Sequence, residues 1–214
     1  MRLLNFIFLH RNWELDRQDF GRRLTRLVYE DLPFSLVIFP EGTTLSKDAI
    51  EKSVLFAAKR NLPVPTYTLV PRVTGMQFAL NRLGSHICGV FDLTIGYSGT
   101  KKDEYPEDTF GLMSLFFDGL APELINFHVR FHPIENIPYQ DPEAFAEWMY
   151  SLYQEKETLM TRFYRDGRFP GNTSKLLSAS STYAMPIIVL GSISTTVMLL
   201  GLAGAVYYLL LRFR

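Results

Sequence analysis

The run Leu36-Val37-Ile38-Phe39 stops abruptly at Pro40-Glu41-Gly42-Thr43, and this junction constrains the fold more tightly than any other stretch of the chain. A short β-branched and aromatic run closed in this way reads as a buried strand opening into a tight loop. Proline ends strand pairing, and glycine lets the backbone turn closely and approach a ligand. A carboxylate and a hydroxyl are left at the strand's carboxyl end, where open α/β sheets place their ligand crevice. Such groups are costly to bury unless something polar meets them.

Around this junction, strands and amphipathic helices alternate. A strand is expected at 3–9, then a helix at 16–30 with Phe20, Leu24, Leu27 and Val28 inward. The motif strand at 35–39 follows. A helix is expected at 47–60, capped by Ser46, with Ile50, Val54, Leu55 and Ala58 inward. Strands at 65–70, 87–97 and 124–131 and a short helix at 74–83 continue the pattern. A long helix begins at Asp141-Pro142, carries the stripe Phe145, Trp148, Met149, Leu152, Leu159 and Phe163, and ends at Gly167. This alternation predicts an α/β fold, a largely parallel sheet flanked by helices, over residues 1–168.

The end of the chain differs in kind. Nothing from Leu176 to Leu211 is charged, and from Tyr183 onward the residues are almost all apolar or small. A membrane helix needs roughly 20 such residues. A C-terminal transmembrane helix is therefore expected at 183–211, joined through a Gly/Asn/Thr/Ser-rich linker at 169–182. The first ten residues lack the apolar length and cleavage site of a signal peptide.

Composition narrows the partners. Basic and acidic side chains balance at 22 each, which argues against nucleic acid. The single cysteine, Cys88, excludes an internal disulfide framework and a cysteine metal cluster, and is expected to pack inside a strand. His128 and His132 share one strand face, but no cysteine or carboxylate spacing beside them supports a metal. Thr94 and Ser98 have no partner base as nucleophiles. The apolar insertion Leu112–Phe117 reads as a bilayer-dipping or pocket-covering segment, or as a buried turn.

Four ordered blocks carry a family resemblance: the basic block from Phe8 through His10 and Arg11 to Arg17, Phe39-Pro40-Glu41-Gly42-Thr43, Val70-Pro71-Arg72-Val73-Thr74-Gly75, and the pair formed by Phe127–Ile134 and the Trp148 helix. Together they resemble the glycerolipid acyltransferases, and within them the lysocardiolipin acyltransferase subgroup, over residues 5–166. The resemblance implies transfer of an acyl group from acyl-CoA, as co-substrate, to a hydroxyl of a lysophospholipid, with no cofactor and no metal. It implies a general base, a histidine in H-x-x-x-x-D. This sequence lacks that motif: five places beyond His10, His86, His128 and His132 stand Leu15, Phe91, Pro133 and Ile137. The chain is thus expected to be an acyltransferase domain that begins after its catalytic dyad, a fragment or short isoform, inactive alone.

By resemblance, Arg11 contacts the acceptor's phosphate, or else pairs with Glu14 or Asp16 on the surface. Glu41, Gly42 and Thr43 form the acceptor-binding loop, with Glu41 on a glycerol hydroxyl or a backbone amide, or serving as a structural loop carboxylate. Pro71 ends a strand beside the acyl pocket, and Arg72 is a second phosphate contact or a solvated charge. Lys47 and Lys52 face coenzyme A phosphates or simply water. The implied partners are the lipid bilayer, a lysophospholipid and acyl-CoA, and the implied location is the endoplasmic reticulum membrane, with mitochondria-associated membrane as a second option. The alternative is a noncatalytic, membrane-anchored lipid-binding or regulatory protein of the same fold.

Overall fold

A computed structural model of the chain describes residue 7 and residues 13–30, 33–101, 104–111 and 120–171. The chain divides into two units, Met1–Pro170 and Gly171–Arg214. The expected strand at 3–9 (apart from Ile7), Leu112–Phe117 and the expected membrane segment at 183–211 lie outside the described residues. Among the described residues no helix is long and apolar enough to cross a membrane.

Among the described residues five α-helices and two strands follow in order: α1 (Trp13–Tyr29), α2 (Lys47–Lys59), α3 (Val73–Leu83), β1 (Gly89–Tyr97), the single turn α4 (Pro106–Thr109), β2 (Ile125–Pro133) and α5 (Pro142–Asp166). The parallel sheet expected from the sequence is not what forms. The sheet has two strands, β1 and β2, paired antiparallel with Gly89 opposite Pro133 and Tyr97 opposite Ile125. A parallel pair needs a crossover, usually a helix of several turns, to bring the chain back. Between β1 and β2 the described residues supply only the one-turn α4.

The motif run is not a buried strand either. Residues 33–39 are extended but belong to no sheet among the described residues. Alternate side chains face inward: Phe34, Leu36 and Ile38 pack against α1 and α3, whereas Val37 and Phe39 are exposed. The expected strand at 65–70 is likewise in no sheet among the described residues and bends at 66–68.

The helices form where their periodicity and caps require. In α1, Phe20 and Leu24 are buried and Leu27 and Val28 pack beside them. The Ser46 hydroxyl accepts the Ala49 N–H at 3.3 Å and starts α2. The inner face of α2 is rotated from the expected one: Ser53 and Ala57 are buried, while Leu55 and Ala58 are exposed. The Ser53 hydroxyl accepts the Val70 N–H at 2.7 Å, which ties this face to the segment leading into α3. The Asp141 carboxylate caps α5 through the Glu143 and Ala144 N–H groups, and Gly167, at φ +70°, ends it.

α3 lies at the centre. Its Ala79 and Leu83 face Phe20 and Leu24 of α1, and its Leu80 faces Phe145, Met149 and Tyr153 of α5. The polar face of the β1–β2 pair lies on α5. The opposite face is apolar and open: Phe91, Leu93, Phe127, Val129 and Phe131 are all exposed. Cys88, expected inside a strand, is exposed just before β1.

Candidate functional site

The site is built on the loop after the extended run. Gly42 takes φ +68°, a left-handed conformation that a side chain would strain, and its N–H donates to the Phe39 carbonyl at 3.1 Å to close the turn. The Arg72 N–H donates to the Pro40 carbonyl at 2.8 Å. This bond lays the segment before α3 along the loop. The Arg72 side chain then crosses Gly42 so closely that a Cβ there would stand 3.4 Å from Arg72 Cδ. The positive φ favours glycine at position 42, whereas the Arg72 contact alone would admit a Cβ. Pro71 is buried against this junction and Arg72 is exposed.

Glu41 is pinned from the other side. The buried Tyr153 of α5 donates its hydroxyl to Glu41 Oε1 at 2.7 Å. Burial first, and the Glu41 carboxylate second, hold the Tyr153 phenol above its ordinary pKa. The phenol therefore stays a neutral donor throughout the physiological range. The bond spans 112 positions of sequence and joins the motif loop to α5.

One helical turn further along α5 lies a buried charge cluster. Lys156 pairs with Asp92 Oδ1 of β1 and donates to the Leu93 carbonyl at 2.6 Å. Asp92 Oδ2 accepts from Arg130 of β2 at 2.8 Å, and Arg130 also pairs with Glu155. Burial opposes the charge on Arg130, but the Asp92 and Glu155 carboxylates outweigh it and raise its pKa. Thr94 is buried within 3.3 Å of Lys156 Nζ. Beside this cluster, burial first and then the Arg130 charge keep His128 below its ordinary pKa.

Glu157, on the neighbouring face of α5, accepts the N–H groups of Thr66, Tyr67 and Thr68 at 2.8–3.1 Å. These bonds fix the bends at 66–68 in place of the expected strand. A cavity of about 240 Å³ remains between this segment and α5, lined by Leu62, Val70, Pro71, Tyr150 and Tyr153 among others. Pro71 and Tyr153 thus belong both to the cavity wall and to the Glu41 loop.

Of the residues picked out from the sequence, Glu41, Gly42, Pro71 and Arg72 come together at one place. Thr43 is exposed on the same loop. Lys47 and Lys52 are exposed on α2. Arg11 lies outside the described residues. The Ser98 hydroxyl accepts the Leu124 N–H at 2.8 Å and has a structural role there. Tyr153 and Lys156 were not anticipated. Their signal was a phenol and a lysine placed in the apolar stripe of α5, between Met149, Leu152, Leu159 and Met160.

The family described as Acyltransferase C-terminus matches residues 116–190. The chain is 34% identical over 202 residues to 2-acyl-1-lysophosphatidylinositol acyltransferase of Saccharomyces cerevisiae, covering 79% of this chain and 51% of that protein. It is 33% identical over 170 residues to lysocardiolipin acyltransferase 1 of Gallus gallus, covering 78% and 43%. The chain belongs with the glycerolipid acyltransferases. Similarity to 1-acyl-sn-glycerol-3-phosphate acyltransferase gamma of Pongo abelii runs over 94% of the chain at 30% identity. The acyltransferase-like chain spans about half the length of the curated relatives it matches. No solved structure matches it.

Proposed function

We propose that this chain carries the acceptor-binding part of an acyl-CoA-dependent lysophospholipid acyltransferase. In that reaction a glycerol hydroxyl of the acceptor attacks the thioester carbonyl of acyl-CoA. A C–O bond forms, the C–S bond breaks, and the hydroxyl proton passes through a base to the departing coenzyme A thiol. Arg72 meets the acceptor's phosphate with a guanidinium suited to phosphoryl oxygens. Glu41 keeps one oxygen, Oε1, on Tyr153 and offers the other to the acceptor hydroxyl. Thr43 adds a hydroxyl at the loop's outer edge, and Arg11 supplies a second phosphate contact. The cavity beside Pro71 receives the start of the acyl chain. The acceptor is a lysophosphatidylinositol- or lysocardiolipin-like lipid, and the work is done at a bilayer surface, that of the endoplasmic reticulum.

One observation carries this reading: Glu41 is fixed by Tyr153 beside a glycine turn that Arg72 crosses, in a homologue of lysophospholipid acyltransferases. The 214 residues contain no H-x-x-x-x-D, so they do not supply the general base. Two results are expected of the purified chain. It binds lysophosphatidylinositol, and Arg72→Glu weakens that binding about tenfold, the value of a charged phosphate contact. It transfers negligible radiolabelled acyl group from acyl-CoA. Unchanged affinity in Arg72→Glu overturns the assignment of the loop, and sustained turnover overturns the placement of the base.

The missing H-x-x-x-x-D also favours a second reading, a lipid-binding or regulatory protein without catalysis. The transcript separates the two. An in-frame H-x-x-x-x-D encoded before Met1 supports transfer, and a start at Met1 supports binding alone.

A further inference from the structure

A second polar recess lies away from the Glu41 loop, a groove of about 610 Å³ between α1 and α3. Among the described residues its walls present three guanidinium groups, Arg17 and Arg22 from α1 and Arg82 from α3, against one carboxylate, Glu14. One ring organises two of them: Arg17 Cζ stands 6.0 Å and Arg82 Cζ 5.4 Å from the centroid of Phe78. The ring is itself held in place. Trp13 meets it edge-on at 5.1 Å and Phe20 at 5.9 Å. Gly21 gives it room, since a Cβ there would stand 3.2 Å from Phe78 Cζ. The third arginine, Arg22, reaches Asp19 at 3.4 Å in an exposed contact of a kind worth little. Two like charges from different helices are thus preset around one aromatic ring, with a third within reach, before any ligand arrives.

We infer that this groove binds a phosphate-bearing ligand. Phosphoryl oxygens satisfy several guanidinium forks at once, and each fork adds a charge-assisted pair. The site is separate from the candidate acceptor loop. Arg82 follows Arg72 by ten residues of helix, about 15 Å at the α-helical rise. The Arg72 side chain lies across Gly42 at one end of α3 and Arg82 stands over Phe78 near the other, so Arg72 and the groove serve different groups. The inference does not rest on acyl transfer and stands whether or not that reading does. The phosphate is borne either by a soluble molecule or by a lipid headgroup, and the test tells these apart.

The full 214-residue chain is titrated with inorganic pyrophosphate by calorimetry, and Trp13 emission is followed because its ring touches Phe78. The same chain is then sedimented with phosphatidylcholine vesicles, with and without phosphatidic acid. Saturable pyrophosphate binding is expected, weakened about tenfold by Arg17→Glu or Arg82→Glu at unchanged far-UV circular dichroism. Arg26→Glu should leave it intact, because Arg26 pairs with Glu30 and does not line the groove. Arg82→Gln, which removes charge without reversing it, should fall between. Vesicle binding that needs phosphatidic acid and is lost in the same variants supports the site with a lipid source. Pyrophosphate binding without vesicle binding supports it with a soluble source. Failure of the unmodified chain to bind either probe, or equal affinity in the Arg17→Glu and Arg82→Glu variants, overturns it.

Discussion

Tyr153→Phe removes one oxygen, and with it the hydrogen bond that ties α5 to the motif loop. The ring stays in the core with Leu80, Phe145 and Met149, so no cavity opens. A hydrogen bond to a charged group is worth about 1.5–3 kcal/mol, but Glu41 is partly exposed and water replaces part of the lost donor. The expected loss of stability is therefore small, about 1 kcal/mol by denaturant unfolding. The expected loss in lysophosphatidylinositol affinity is larger relative to that, because Glu41 is free to leave its position. Glu41→Gln separates charge from placement. It keeps an oxygen for Tyr153, so it should retain the loop's geometry and weaken binding only through the lost charge. If Tyr153→Phe binds lysophosphatidylinositol as tightly as the unaltered chain, Tyr153 does not position the loop.

At the scale of elements, α5 is joined to both strands through charge. Asp92 is buried between Lys156 and Arg130, and removing one member of such a group leaves an uncompensated charge in the interior. Lys156→Met should cost about 3 kcal/mol, read as a fall in the unfolding midpoint, because Asp92 then relies on Arg130 alone. Replacing all three, Asp92→Leu, Lys156→Met and Arg130→Leu, should recover most of that loss, since apolar packing replaces ion pairs at little net cost. A triple variant as unstable as Lys156→Met alone would mean that the cluster contributes more than its charge balance.

The α1 and α5 stripes, the Ser46 cap and the Asp141-Pro142 start could be read because each is local. The strands run antiparallel and not parallel, and the sequence carries a local mark of this. Phe91-Asp92-Leu93-Thr94-Ile95 and Ile125 through His132 alternate apolar and polar, whereas a parallel strand covered on both faces reads as a continuous apolar run. The Tyr153–Glu41 bond joins positions far apart in the chain, and no local pattern encodes a partner at that distance. The Glu41–Arg72 neighbourhood was found through ordered family blocks and not through spacing.

For the whole molecule, the open face of the sheet decides the behaviour in water. Phe91 lies opposite Phe131 and Leu93 opposite Val129, on strands where Phe127 is 56% and Phe91 63% exposed. A contiguous apolar surface of this kind promotes association. Replacing Leu93 and Phe127 with serine sets two effects against each other. Cross-strand pairing lost on the open face costs about 0.2–1 kcal/mol per pair. A buried truncation such as Leu24→Ala costs about 2–5 kcal/mol, and Leu24 has no exposed surface at all. If the face is open, the double variant should unfold close to the unaltered chain, bind less of a hydrophobic dye and scatter less light as concentration rises. Leu24→Ala should do the reverse, with a lower midpoint and more dye bound. A Leu93→Ser/Phe127→Ser midpoint that falls as far as that of Leu24→Ala would mean that the face is covered in solution, and the sheet would then be an interior surface of a larger assembly.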